Sequence, residues 1–168
     1  CHGHRSSGCK PWNLCGSGCM ATITLPADFK EFLQLLNSND VQYLVVSGYA
    51  VGFHGYPRAT GDMDIWIAIS AANADRLTKA LQEFGFAIGI ESRALFLQEN
   101  QVIRMGRPPL RIEILTSVCG VNFDECFQKR VVAKIDQVDL NFIDLEKLKQ
   151  NKKAAGRHKD LNDLENLP

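Results

Sequence analysis

Apolar positions recur at helical spacing from Phe29 to Leu36. Phe29, Phe32, Leu33, Leu35 and Leu36 form one stripe behind Pro26-Ala-Asp28, and Asn37-Ser-Asn-Asp40 closes it. The pattern then shortens. Val41 to Val46 reads as a buried strand, Gly48 to Phe53 as a short helix entered directly from it, and Gly55-Tyr-Pro57 as a break. Met63 to Ile69 is apolar enough for a second buried strand. Ala71 to Phe84 predicts a helix with Leu77, Ala80, Leu81 and Phe84 on one side and Gly85 as its cap. Phe86 to Leu97 has no decisive period.

Gln101 to Met105 reads as a strand before a Gly106-Arg-Pro-Pro109 turn. Leu110 to Leu115 alternates cleanly, with Leu110, Ile112 and Ile114 on one face and Arg111, Glu113 and Leu115 on the other. Phe123 to Gln128 suits a short helix. Val131 to Ile135 and Val138 to Ile143 suit a hairpin about Asp136-Gln137. Two helices, Leu145 to Ala155 and Lys159 to Leu167, flank Gly156. Helices interleaved with strands predict an α/β or α+β fold: a mixed sheet flanked by helices, with a C-terminal helical pair over about 144–168.

Residues 1–19 stand apart. They read CHGHRSSGCKPWNLCGSGC, hold four of the six cysteines and show no hydrophobic period. The expectation is a mobile tag or non-native leader before a domain spanning 20–168. The alternative is a small metal or disulfide module, although no Cys-x-x-Cys pair occurs there. Cys119 and Cys126 are expected to be free thiols. With 168 residues and 45% hydrophobic content the chain can build one ordinary core. Its formal net charge of zero supplies no global field toward nucleic acid or an anionic membrane. No apolar run approaches the ~20 residues needed to span a bilayer. The reading is a soluble, cytoplasmic protein with no membrane partner.

The candidate chemistry lies at Asp62-Met63-Asp64. Two residues apart on a strand, the carboxylates face the same way while Met63 and Ile65 face the other. A sparse carboxylate site suits Mg²⁺ or Mn²⁺ held together with phosphate oxygens. Gly48, at a strand-to-helix junction, lets backbone N–H groups approach a phosphate, and Ser47 adds a hydroxyl. Arg58 and Lys152 are candidate cations for a triphosphate. Glu113 is a candidate third carboxylate, provided its strand lies beside Met63–Ile69. It would bind metal and help deprotonate an acceptor hydroxyl. Plainer alternatives are a solvated strand end for Asp62 and Asp64, a turn for Gly48, a helix cap for Ser47, an ion pair for Arg58 and a surface position for Glu113. Thr60 reads either as a nucleotide contact or as a hydrogen bonder that stabilises its loop. His54 reads as structural, and Arg157, Asp160 and Asp163 read as an ion-pair set between the last two helices.

The stretch VSGYAVGFHGYPRATGDMDIWI resembles the signature of the DNA polymerase β nucleotidyltransferase superfamily. That signature is a hydrophobic residue, a Gly-Gly or Gly-Ser pair, about ten residues, then Asp-hydrophobic-Asp, with a third carboxylate on a later strand. The His54-Gly55-Tyr-Pro-Arg58-Ala-Thr60 bridge, the segment RIEILTSVCGVNF and the segment NKKAAGRHKDLNDLENL are similar to those of AbiE-type toxins and minimal nucleotidyltransferases. Together they cover most of residues 27–168. The chain departs from the pattern twice: Ser47 replaces the first glycine, and Glu113 stands where Asp is usual.

The resemblance implies transfer of a nucleoside monophosphate from an NTP to an acceptor hydroxyl, with release of pyrophosphate, in a toxin–antitoxin or phage-defence setting. It implies Asp62, Asp64 and Glu113 as metal ligands and catalytic groups, with Ser47, Gly48, Arg58, Thr60 and Lys152 toward the nucleotide. Acceptors in view are a tRNA end, a protein or a small molecule, and partners a cognate toxin or antitoxin protein or a second copy. The other reading is a catalytically weak binding module of the same fold.

Overall fold

The computed structural model describes residues 12, 13, 22–87, 89–107 and 109–168. Its elements in chain order are β1 (Trp12–Asn13), β2 (Thr22–Ile23), α1 (Ala27–Ser38), β3 (Tyr43–Val46), α2 (Ser47–Phe53), β4 (Asp62–Ile67), α3 (Ala71–Phe84) and α4 (Ile90–Leu95). There follow β5 (Val102–Arg107), β6 (Leu110–Leu115), α5 (Phe123–Gln128), β7 (Val131–Ile135), β8 (Val138–Phe142), α6 (Leu145–Ala155) and α7 (His158–Asn166). The expectations for residues 1–19 fall outside the described residues, except that Trp12 and Asn13 pair antiparallel with Thr22 and Ile23.

Six strands form one mixed sheet in the order β5-β6-β4-β3-β8-β7. Strand β4 lies antiparallel to β3 and parallel to β6, and β3 lies parallel to β8. Alternation decides what each face carries. Met63, Ile65 and Ile67 are fully buried, as are the α1 stripe Phe32, Leu33 and Leu36 and the α3 stripe Leu77, Ala80 and Leu81. Burying one such large apolar side chain is worth ~1.5–3 kcal/mol. Helix α1 packs on α3 and on β8, α2 on β3 and β4, and α6 on α7.

Local chemistry sets the ends of the elements. The Ser70 side chain accepts from the Asn73 backbone and opens α3, and Gly85 closes it at φ 107°. The β7–β8 hairpin turns on Asp136 and Gln137, both at positive φ.

Several boundaries differ from the sequence expectation, and three bear on the sheet around the site. Strand β3 begins at Tyr43, because the buried Asn73 side chain takes the Gln42 N–H at 2.7 Å and so caps that backbone itself. Strand β4 ends at Ile67, and the same amide donates to the Ala68 carbonyl at 2.9 Å. Strand β5 runs through Arg107, with Gly106 at φ 89° inside it and not in a four-residue turn. Cys119 and Cys126 are free thiols. Burial pushes the Cys126 thiol up to about 11, so it stays protonated at neutral pH. Among the described residues, no helix is long and apolar enough to cross a membrane.

Candidate active site

Parallel pairing of β4 with β6 puts Asp62 opposite Arg111 and Asp64 opposite Glu113. Directly paired residues share a face of the sheet, so three carboxylates from two strands emerge side by side. Their surroundings differ. Asp62 receives Arg111 Nη2 on its Oδ2 at 3.1 Å. The same nitrogen lies 3.2 Å from Glu113 Oε1, and Arg104 Nε reaches that oxygen at 3.0 Å. Among the described residues Asp64, paired with Glu113 across the two strands, has no arginine ion pair, and its Oδ1 is shielded from solvent with no hydrogen bond. Burial raises the Asp64 carboxyl to about 6; a Ser47 hydroxyl bond opposes this, and the charge of Glu113 adds to it.

Asp64 reaches Ser47 because Val46 is its register partner on β3. Ser47 begins α2 at φ 58°, a left-handed conformation that costs a non-glycine residue about 1–2 kcal/mol. This is the position where the resembling pattern has glycine. The strained backbone turns the chain sharply from β3 into α2 and leaves the Ser47 hydroxyl against Asp64.

Gly48 is needed for close approach. A Cβ there would stand 2.8 Å from Thr60 Oγ1, 3.0 Å from Thr60 Cβ and 3.4 Å from Arg58 Nη1. Thr60 is held in turn by its own bond to the Asp62 carbonyl at 3.2 Å. The loop over residues 58–61 therefore lies directly on the first turn of α2. Gly48→Ala is expected to push that loop away and lower stability by about 1–3 kcal/mol, read as a shift in urea midpoint. His54 closes α2, and its Nε2 is 2.6 Å from the Ile143 carbonyl, a structural role.

Arg58 and Lys152 belong to a buried ion network. Arg58 grips Asp163 through Nε at 2.8 Å and Nη2 at 2.9 Å. Lys152 Nζ lies 3.1 Å from both Asp160 and Asp163. Arg157 adds a 2.8 Å bond to Asp160 from a largely exposed side chain. Burial opposes ionisation of Asp160, yet its bonds from Arg157 and Lys152 hold the carboxyl below its usual range. The expected ion-pair set between the last two helices is present, and it also contains Arg58 and Lys152. Both cations are thus largely committed to carboxylates, while Arg157 and Lys159, which the sequence reading left outside the site, face the same cleft. Their signal was available: they sit beside Gly156, where α6 gives way to α7.

These groups surround one cleft of about 340 Å³. Ser47, Gly48, Thr60, Asp62, Asp64 and Glu113 line it, as do Arg58, Lys152, Arg157 and Lys159. Every residue singled out in the sequence as a site candidate borders this space. A larger hollow of about 520 Å³ lies at the far end of β4, near Ser70, Thr116 and Phe123. Among the described residues it is lined by no lysine or arginine and by none of the three carboxylates. Size favours that hollow, but the paired carboxylates and cations favour the smaller cleft.

The donor set suits a hard divalent cation at one point. A shielded carboxylate oxygen without a partner costs stability unless a cation meets it, and Asp64 Oδ1 is such an atom. Asp62 and Glu113 flank it with further oxygens. Among the described residues, no three His, Cys, Asp or Glu side chains converge on an ion position as they stand. Asp62 and Glu113 are instead held in arginine contacts, with Arg111 on both and Arg104 on Glu113.

Seven chains of known structure match this one. A candidate nucleotidyltransferase from Thermotoga maritima superposes with a TM-score of 0.56 at 13% identity, covering 82% of this chain and 88% of that one. An antigenic nucleotidyltransferase-like protein from Paracoccidioides brasiliensis gives a TM-score of 0.49 at 18% identity, covering 84% of this chain and 76% of that one. No family model and no curated protein sequence matches. The first superposition makes the fold nucleotidyltransferase-like. At such identity the likeness reaches the fold and no further, since one fold hosts many activities.

Proposed function

We propose that the chain is a metal-dependent nucleotidyltransferase. It would move a nucleoside monophosphate from an NTP to an acceptor hydroxyl and release pyrophosphate. One observation carries this reading: the β4–β6 register brings Asp62, Asp64 and Glu113 to the edge of the cleft that Ser47, Gly48 and four cationic side chains also line.

In this reading Asp64 is the primary ligand of Mg²⁺ or Mn²⁺, with Asp62 and Glu113 beside it. The ion, when bound, polarises the α-phosphate and offsets charge on the departing pyrophosphate. The acceptor oxygen bonds to the α-phosphorus as the bond to the bridging oxygen breaks, and Glu113 takes the hydroxyl proton. Ser47 and Gly48 lie where the polyphosphate turns past α2, and Thr60 holds the covering loop. Arg58 and Lys152 line the same cleft and would add positive field from within their ion pairs.

The test is pyrophosphate release from NTPs with Mg²⁺ or Mn²⁺ in the presence of candidate acceptors. Metal-dependent release that disappears in Asp64→Asn supports the proposal, and equal release by both proteins refutes it. A second reading, a catalytically weak binding module, draws on the arginines seated on Asp62 and Glu113. It requires that NTP binding not respond to metal.

A further inference from the structure

We infer that Arg111 is an internal counter-ion standing in for the divalent cation, and that the cation enters this site by displacing it. The inference rests on the nucleotidyltransferase reading and adds a residue that gates metal entry.

Four observations lead there. First, a single atom, Arg111 Nη2, bridges two of the three carboxylates, at 3.1 Å from Asp62 Oδ2 and 3.2 Å from Glu113 Oε1. Second, Arg104 meets Glu113 at 3.0 Å, so two guanidinium charges offset the carboxylate group. That is the charge one divalent ion would bring. Third, Asp64, beside the bridged pair, keeps a shielded oxygen with no hydrogen-bond partner among the described residues, so the arginines do not complete the site.

Fourth, Arg111 has somewhere to go. Its side chain is 31% exposed, and its Nε is shielded and has no hydrogen bond among the described residues, so the present pose leaves that donor unmet by them. Strand β6 fixes its Cα beside Asp62, while the flexible side chain can swing outward without disturbing the β4–β6 ladder. Once an ion holds Asp62 and Glu113, the guanidinium is freed at the edge of the same carboxylate face. A planar fork of N–H donors released there is suited to an anionic phosphate oxygen.

The arrangement makes a definite prediction. Arginine and metal compete for the same oxygens, so removing the guanidinium strengthens metal binding. A side chain that merely supported the carboxylates would weaken metal binding when removed.

The experiment is Mn²⁺ titration followed by electron paramagnetic resonance at pH 7.5 without nucleotide. It uses the full chain as wild type, Arg111→Gln and Asp64→Asn, with circular dichroism to check folding. Arg111→Gln is expected to bind Mn²⁺ about tenfold more tightly than wild type, and Asp64→Asn to lose binding. If wild type binds, Asp64→Asn does not, and Arg111→Gln binds equally or more weakly, the counter-ion role is overturned while the metal site survives. If neither wild type nor Arg111→Gln binds Mn²⁺, both the role and the functional reading fall.

An independent readout needs no folded variant. In wild type, Mg²⁺ should shift the ¹⁵N side-chain resonances of one strongly hydrogen-bonded arginine as its contacts break. Arginine resonances that stay fixed while Mg²⁺ saturates the protein would also overturn the proposal.

Discussion

Asp64→Asn is expected to abolish nucleotidyl transfer while making the folded chain more stable at pH 7.5. On the proposed function the loss should be at least about a thousand-fold, because a bound divalent ion would supply several kcal/mol of transition-state stabilisation and Asp64 would be its primary ligand. The gain in stability follows from the carboxyl's position. Folding raises its pKa from 3.8 to about 6, chiefly by burial.

Below pH 3.8 the group is protonated in both folded and unfolded chains and costs nothing. As pH rises from 3.8 to about 6 the unfolded chain releases a proton that the folded chain still holds, so stability is lost across that window and the loss is complete once the folded carboxyl also ionises. By neutral pH the loss amounts to ~2–3 kcal/mol. Asparagine never ionises, so the variant should be more stable by about 1–2 kcal/mol at pH 7.5 and nearly unchanged at pH 4. Urea denaturation at the two pH values reads this directly. A variant destabilised at pH 7.5 would show that Asp64 is held by favourable contacts.

The second large effect belongs to Asp163. It is fully buried and accepts two bonds from Arg58 and one contact from Lys152. Asp163→Ala would leave Arg58 without its partner and Lys152 with Asp160 alone. Breaking a buried pair from one side typically costs about 3–5 kcal/mol, and that loss is expected here. Arg157→Ala is the control within the same network. Its side chain is 74% exposed, so less than about 1 kcal/mol should be lost. Equal effects of the two substitutions in urea denaturation would contradict a network organised around the buried carboxylate. Because Arg58 also faces Gly48, Asp163→Ala should loosen the loop over α2 as well as the docking of α7.

Much of this was legible in the sequence wherever one local rule sufficed. Helix α3 has a serine at its entry, an apolar stripe and a terminal glycine, and its limits were predicted to the residue. The alternation of Leu110 to Leu115 placed Arg111 and Glu113 on one face before any partner was known. Strand limits set by remote side chains were not legible. Asn73, thirty-one residues from Gln42, takes over the backbone bonds there and shortens β3, and no local pattern announces that.

The candidate site divides along the same line. Spacing on one strand put Asp62 and Asp64 together, and the fold supplied Glu113 through register. Arg111 was visible as a neighbour of Glu113, but its bridge to Asp62 spans 49 positions and depends on how β4 meets β6. Arg58 and Lys152 were legible as cations. Their commitment to Asp163 and Asp160 arises only when α7 folds back toward the cleft.

Calorimetric titration of the wild-type chain with a non-hydrolysable NTP, once with Mg²⁺ and once with EDTA, tests the central claim most directly. Saturable binding that requires Mg²⁺ is the predicted result. No binding, or the same binding isotherm in EDTA, would contradict it.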